Sequence, residues 1–216
     1  MLGFAPDRHS LVIAENRRQT QNERVPPKIW LWPDADPARA KMLAGNFPLV
    51  GYRLVAEGRW GITTDTLTPD VWLWNPETGA RVRSLGIPLN VTSESSADGR
   101  WLLTRTREEN VLWDTASWMP KSRWPAEPNQ SGDTTASFSR DSRFFATADL
   151  SGQVILRSVP DGKRIATLPP PEPMRLRELR FGATSDRIYL VRLDGRVYEW
   201  DLAELNRQLA DLHLAW

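Results

Sequence analysis

Cysteine is absent from the 216 residues, and histidine occurs only at His9 and His213. Disulfides and thiolate-bound zinc are therefore excluded, and a histidine-rich metal centre is out of reach. A Ser–His–Asp site would have to be built on one of those two imidazoles. No apolar run approaches the ~18 residues that a membrane span requires. The opening stretch MLGFAPDRHSLVIA meets Asp7 and Arg8 where the apolar core of a signal peptide would continue. Charge of one sign is also lacking. The 28 Lys and Arg face 27 Asp and Glu, a formal net charge of +1, without the basic excess of a dedicated nucleic-acid binder. These absences predict a cytoplasmic protein with no membrane or nucleic-acid partner and no cofactor.

What is present is a repeat. Hydrophobic residues make up 40 % and charged residues 25 %, enough to bury a core in one large all-β domain. One cassette recurs as VAEGRWGITTD (55–65), SADGRWLLTRT (96–106), SRDSRFFATAD (139–149) and ATSDRIYLVRL (183–193), with a longer-turned copy, FAPDRHSLVIA, at 4–14. A second recurs as KIWLWPD (28–34), DVWLWNP (70–76), ENVLWDT (109–115), GQVILRS (152–158) and GRVYEWD (195–201). Its closing position holds Trp32, Trp74, Trp113, Arg157 and Trp200, at spacings of 42, 39, 44 and 43. A third cassette, such as NPETGARVRSL (75–85) and SVPDGKRIATL (158–168), adds a turn and a short run with an apolar end. Trp30 and Trp32, like Trp72 and Trp74, are two apart, a spacing that shares a face on a strand but not on a helix. Asp-Gly at 98–99, 161–162 and 194–195 suits tight antiparallel turns. The unit reads strand–turn–strand–turn–strand–turn–strand, at the ~40–45 residues of a four-stranded propeller blade.

With the DGR turns and the VLWD and VYEWD strand ends in register, the chain resembles the WD-repeat β-propeller family over about residues 1–201. The resemblance implies an all-β propeller of about five antiparallel blades, at 1–43, 49–85, 89–124, 134–168 and 174–201. The family's Gly-His pair is missing from every unit, so its buried Asp–His–Ser–Trp network cannot form, and blades held by apolar packing with looser loops are expected. The tail DLAELNRQLADLHLAW (201–216) is similar to the C-terminal end of bacterial WD-repeat proteins, some of which carry a Ser/Thr kinase domain; no kinase motif occurs in this sequence.

Five units can close a tight ring or form an arc of a larger one. The sequence begins inside a blade and the last blade has no outer strand after Trp200, which favours an incomplete or truncated ring open to self-association through uncovered edges. Residues 202–216 read as a helix and tail. Asp201 with Glu204 makes a capping box, and Leu202, Leu205, Leu209 and Leu212 form one stripe.

No catalytic constellation appears. Glu108 and Glu109 with Arg105 and Arg107 read as a solvated charged turn. Two functions remain open. The first is a non-catalytic scaffold for unidentified protein partners, since a propeller offers a rigid surface with variable loops. Its candidate contact residues are Trp118, Trp124 and Trp216, as exposed anchors, and Arg17, Arg18 and Arg24 in the polar loop ENRRQTQNERVPPK (15–28). The alternative is a propeller enzyme or quinone-binding protein, because NPETGARV (75–82) is similar to the Asp-x-x-Thr-Gly turn of quinoprotein propellers. Thr-Gly occurs only once in this chain, at 78–79, which favours the scaffold.

Overall fold

The computed structural model of the chain describes residues 2–4, 9, 11–15, 28–44, 49–55, 58–65, 70–87, 92–128, 135–172 and 174–210. It divides into two compact units, Met1–Val91 and Thr92–Trp216. The first unit holds β1 (Leu2–Phe4), β2 (Leu11–Glu15), β3 (Lys28–Trp32) and β4 (Lys41–Ala44) in one antiparallel sheet, and β5 (Leu49–Val55), β6 (Trp60–Asp65), β7 (Val71–Trp74) and β8 (Arg81–Ser84) in another. The second holds a third sheet of β9 (Thr92–Ser95), β10 (Trp101–Arg105), β11 (Glu109–Asp114) and β12 (Met119–Pro125). A fourth sheet follows with β13 (Ala136–Phe138), β14 (Phe144–Ala148), β15 (Val154–Ser158) and β16 (Arg164–Leu168). Among the described residues the fifth has three strands, β17 (Leu176–Phe181), β18 (Arg187–Arg192) and β19 (Val197–Asp201), and runs into helix α1 (Leu202–Ala210). Within each sheet the spatial order is the chain order, as tight turns between successive antiparallel strands require. The fold is thus all-β, a set of propeller-like blades that is incomplete at its last sheet.

In the second unit the sheets stack through apolar faces. Trp101, Leu103 and Leu112 of the third sheet meet Phe138 and Phe145 of the fourth in one core cluster. Ala146, Ala148, Val154 and Leu156 of the fourth meet Leu179, Ile188 and Leu190 of the fifth in another. Phe145 and Ala146 are neighbours on β14 and point to opposite faces, so this strand is buried on both sides. That explains why FFATA reads as a continuous run rather than an alternation. Each fully buried Phe or Leu contributes roughly 1.5–3 kcal/mol.

Polar links repeat at the same interval. The Asp98 N–H donates to Ser142 Oγ (3.4 Å) and the Asp141 N–H to Ser185 Oγ (3.1 Å), each 44 residues along the chain and one sheet away. Gly99, Ser142 and Ser185 occupy the same turn position with φ of 67°, 58° and 62°. This places the fifth copy of the first cassette at 182, one residue earlier than the sequence alignment at 183. At this turn the interval from the third sheet to the fourth and from the fourth to the fifth is then 43 residues.

Trp113 Nε1 donates to Thr104 Oγ1 at 2.8 Å, and Trp74 makes the same bond to Thr63. These pairs satisfy the buried indole N–H groups without histidine. Helix α1 starts as the capping residues require: the Glu204 N–H donates to Asp201 Oδ1 at 2.9 Å. Leu202 is buried and Leu205 packs on the same cluster; Leu212 and His213 lie outside the described residues.

Candidate interaction cleft

The ends of β9, β13 and β17, with the turns that follow them, enclose a cleft of about 260 Å³. Its walls come from equivalent positions of three successive sheets. One position supplies Glu94, Ser137 and Arg180, the next Ser95, Phe138 and Phe181, and a third Ala97, Arg140 and Ala183. The residue between them, Ser96, Ser139 or Gly182, builds the turn. Its N–H donates to the carbonyl of Trp101, Phe144 or Arg187 at 2.8–2.9 Å.

The serines make the turn rigid. Ser96 Oγ accepts from the Trp101 N–H (2.9 Å) and donates to Asp98 Oδ1 (2.5 Å), which also accepts the Arg100 N–H (3.0 Å). Ser139, Asp141, Phe144 and Arg143 repeat the pattern at 2.9, 2.6 and 3.1 Å. Burial opposes ionisation of both carboxyls, but these hydrogen bonds together outweigh it. They hold Asp98 and Asp141 below the usual carboxylate range. The ordered Ser–Asp turns replace the looser loops expected from the missing histidines.

At one lining position, held by Glu94, Ser137 and Arg180, the side chain differs in every copy. Arg180 donates through Nε to Glu178 at 2.6 Å and its NH1 lies 3.5 Å from Glu94. Arg140 is exposed and makes no hydrogen bond or ion pair among the described residues. Ser95 Oγ is buried with no hydrogen-bond partner. The lining carries two guanidiniums and one carboxylate, an excess of one positive charge. Phe138 and Phe181 add an apolar wall. A hydroxyl, a guanidinium and an aromatic surface can together hold a polar side chain, and no nucleophile with an adjacent base stands among them.

The residues singled out from sequence lie elsewhere. Arg17, Arg18, Arg24 and Trp216 fall outside the described residues. Trp118 is not an exposed anchor. It is 5 % exposed, in a β11–β12 turn with φ of 54° and its N–H bonded to the Asp114 carbonyl at 2.7 Å. Trp124 is half-buried between the third and fourth sheets, stacked on Phe145 with ring centroids 5.6 Å apart and covered by the Arg157 guanidinium at 4.9 Å.

The charged turn also differs from its reading. Glu109 pairs with Arg123 at 2.9 Å, but Arg105 is 3 % exposed and donates to the Thr135 carbonyl at 3.1 Å. Burial lowers its pKa to about 10, against the pull of Glu127. Glu127 receives the buried Arg157 and the half-exposed Arg164, a cluster that sequence reading missed. NPETGARV is an Asx turn: Asn75 Oδ1 accepts from the Glu77 and Thr78 N–H groups at 2.8 and 3.2 Å. Among the described residues, no group of three or more His, Asp or Glu is placed to hold a metal ion, and no helix is long and apolar enough to cross a membrane.

The cleft residues had one sequence signal: aligned at 43, positions 94, 137 and 180 hold Glu, Ser and Arg. No protein-family model matches the chain, and no curated protein matches it.

Proposed function

We propose that the chain is a non-catalytic, cytoplasmic protein–protein interaction scaffold built on WD-repeat-type blades, with the cleft at the ends of β9, β13 and β17 as its contact point. One observation carries the reading. The same backbone hydrogen bond closes all three turns, whereas one lining position carries a different side chain in each copy, Glu94, Ser137 and Arg180. A repeated frame holding unlike side chains makes one composite site rather than three equal ones. The turn at 75–82 on which a quinone site would rest is an Asx turn and is no part of this lining, which favours side chains of a partner over a quinone.

A photo-crosslinking amino acid at Ala183 in the cleft, compared with one at Leu150 or Leu193, tests this. Leu150 and Leu193 are exposed by 54 % and 64 % on turns at the opposite ends of the strands. A discrete adduct is expected from Ala183 in an extract of the source cells and from neither control. Equal labelling at all three positions, or none at Ala183, overturns the proposal.

A further inference from the structure

We infer that the cleft recognises an Asp or Glu side chain on an extended segment of the partner protein, with Arg140 as the residue that reads it. The inference rests on the interaction reading above and adds the chemistry of the partner. Two observations converge on a carboxylate. The lining has one positive charge in excess. Arg180 is occupied by Glu178 and Glu94, whereas Arg140 makes no hydrogen bond or ion pair among the described residues.

Size limits the ligand. About 260 Å³ admits one or two side chains, and the aromatic wall of Phe138 and Phe181 suits the methylene stem of Glu or an apolar neighbour. The internal pair of Glu94 with Arg180 sharpens the choice. An incoming cation would meet two guanidiniums and one carboxylate already engaged, so like charge disfavours Lys and Arg.

Random-peptide display against the immobilised intact chain, followed by fluorescence anisotropy with the enriched peptides, is the test. Arg140 is exposed and unbonded, so Arg140→Gln leaves folding intact, which a thermal melt checks. The enriched peptides are expected to carry Asp or Glu. Arg140→Gln should raise Kd about tenfold or more, the loss of one charge-assisted hydrogen bond. Changing the peptide's acid to its amide should cost about the same, and the two changes together should cost no more than either alone. Ala97→Trp, which narrows the mouth, should abolish binding. Peptides blocked by Ala97→Trp but indifferent to the acid-to-amide change overturn the carboxylate inference and leave the interaction site standing. Peptides indifferent to Ala97→Trp, or no enrichment, overturn both. A single-stranded oligonucleotide that binds with the same Arg140 dependence refutes the peptide assignment.

Discussion

Gly162→Ala should destabilise the protein far more than the same change at Gly195, although both glycines stand in strand-connecting turns with positive φ. At Gly195, φ is 86° and a new Cβ would meet nothing within 4 Å. The cost there is the left-handed conformation, about 1–2 kcal/mol, reduced by the ~0.4–1 kcal/mol gained from stiffening the unfolded chain. At Gly162, φ is 68° and the Cβ would lie 2.9 Å from Ser122 Oγ and 3.0 and 3.2 Å from two carbons of the Trp124 ring. That ring has no room to retreat. It stacks on Phe145 and lies under the Arg157 guanidinium, which is tied to the Gly162 carbonyl at 2.7 Å. Overpacking of this kind adds about 1–3 kcal/mol. Gly162→Ala is therefore expected to cost roughly 2–4 kcal/mol and Gly195→Ala about 1 or less. Urea denaturation followed by circular dichroism gives both values, provided the m-value of each variant equals the parent's. A Gly162→Ala variant no less stable than Gly195→Ala would show that Trp124 is not wedged between the third and fourth sheets.

Thr104→Val keeps the shape of the side chain but strands the buried Trp113 Nε1–H, now 2.8 Å from Thr104 Oγ1. It should cost about 1–3 kcal/mol in a urea titration. Glu127→Ala removes the carboxylate from the buried Arg157 and should cost about 3 kcal/mol. Arg164→Ala, which removes the half-exposed member of the same cluster, should cost under about 1 kcal/mol; equal losses would contradict the difference in burial. Asp98 and Asp141 have folded-state pKa values held below those of the unfolded chain. Their contribution is complete above the unfolded value of ~3.9 and is lost as pH falls through the lower folded values. Replacing both by Asn should flatten the drop in melting temperature between about pH 5 and 3, and an unchanged drop would remove these turns from the acid response.

The frame was legible in the sequence because it is repeated. Period-two tryptophans, Asp-Gly turns and a spacing near 43 residues each report a local requirement of a four-stranded antiparallel sheet, and five copies reinforce one another. The Asp201 cap was legible because capping depends on neighbours in sequence alone. The cleft was hidden for the opposite reason: a site made where three copies differ leaves no motif in any one of them. Trp118 and Trp124 misled because a tryptophan on an outer strand or turn looks available until its neighbours are placed. A positive φ turns Trp118 inward, and the side of β12 that carries Trp124 faces Phe145 rather than solvent. Arg105 misled likewise, since a charged turn looks solvated until the carbonyl of Thr135, thirty residues on, supplies its partner.

The two faces of the fifth sheet differ. Leu179, Ile188 and Leu190 face the fourth sheet, so their neighbours along β17, β18 and β19 face the other way. There the apolar pattern gives way to ion pairs: Arg187 with Glu199 at 2.6 Å and with Asp201 at 3.6 Å, and Arg180 with Glu178 at 2.6 Å. Each of these side chains is 40–58 % exposed, so the pairs add little stability one by one. Their effect is on solubility, because exposed charges keep this face compatible with water. Arg180 belongs to both designs. It stands at the position that carries Glu94 and Ser137 in the two preceding copies, its Nε holds Glu178 on the solvated face, and its NH1 approaches Glu94 across the cleft. At a position that is polar in all three copies, Arg180 thus closes the cleft wall and leaves Arg140, which makes no ion pair among the described residues, as its unengaged cation.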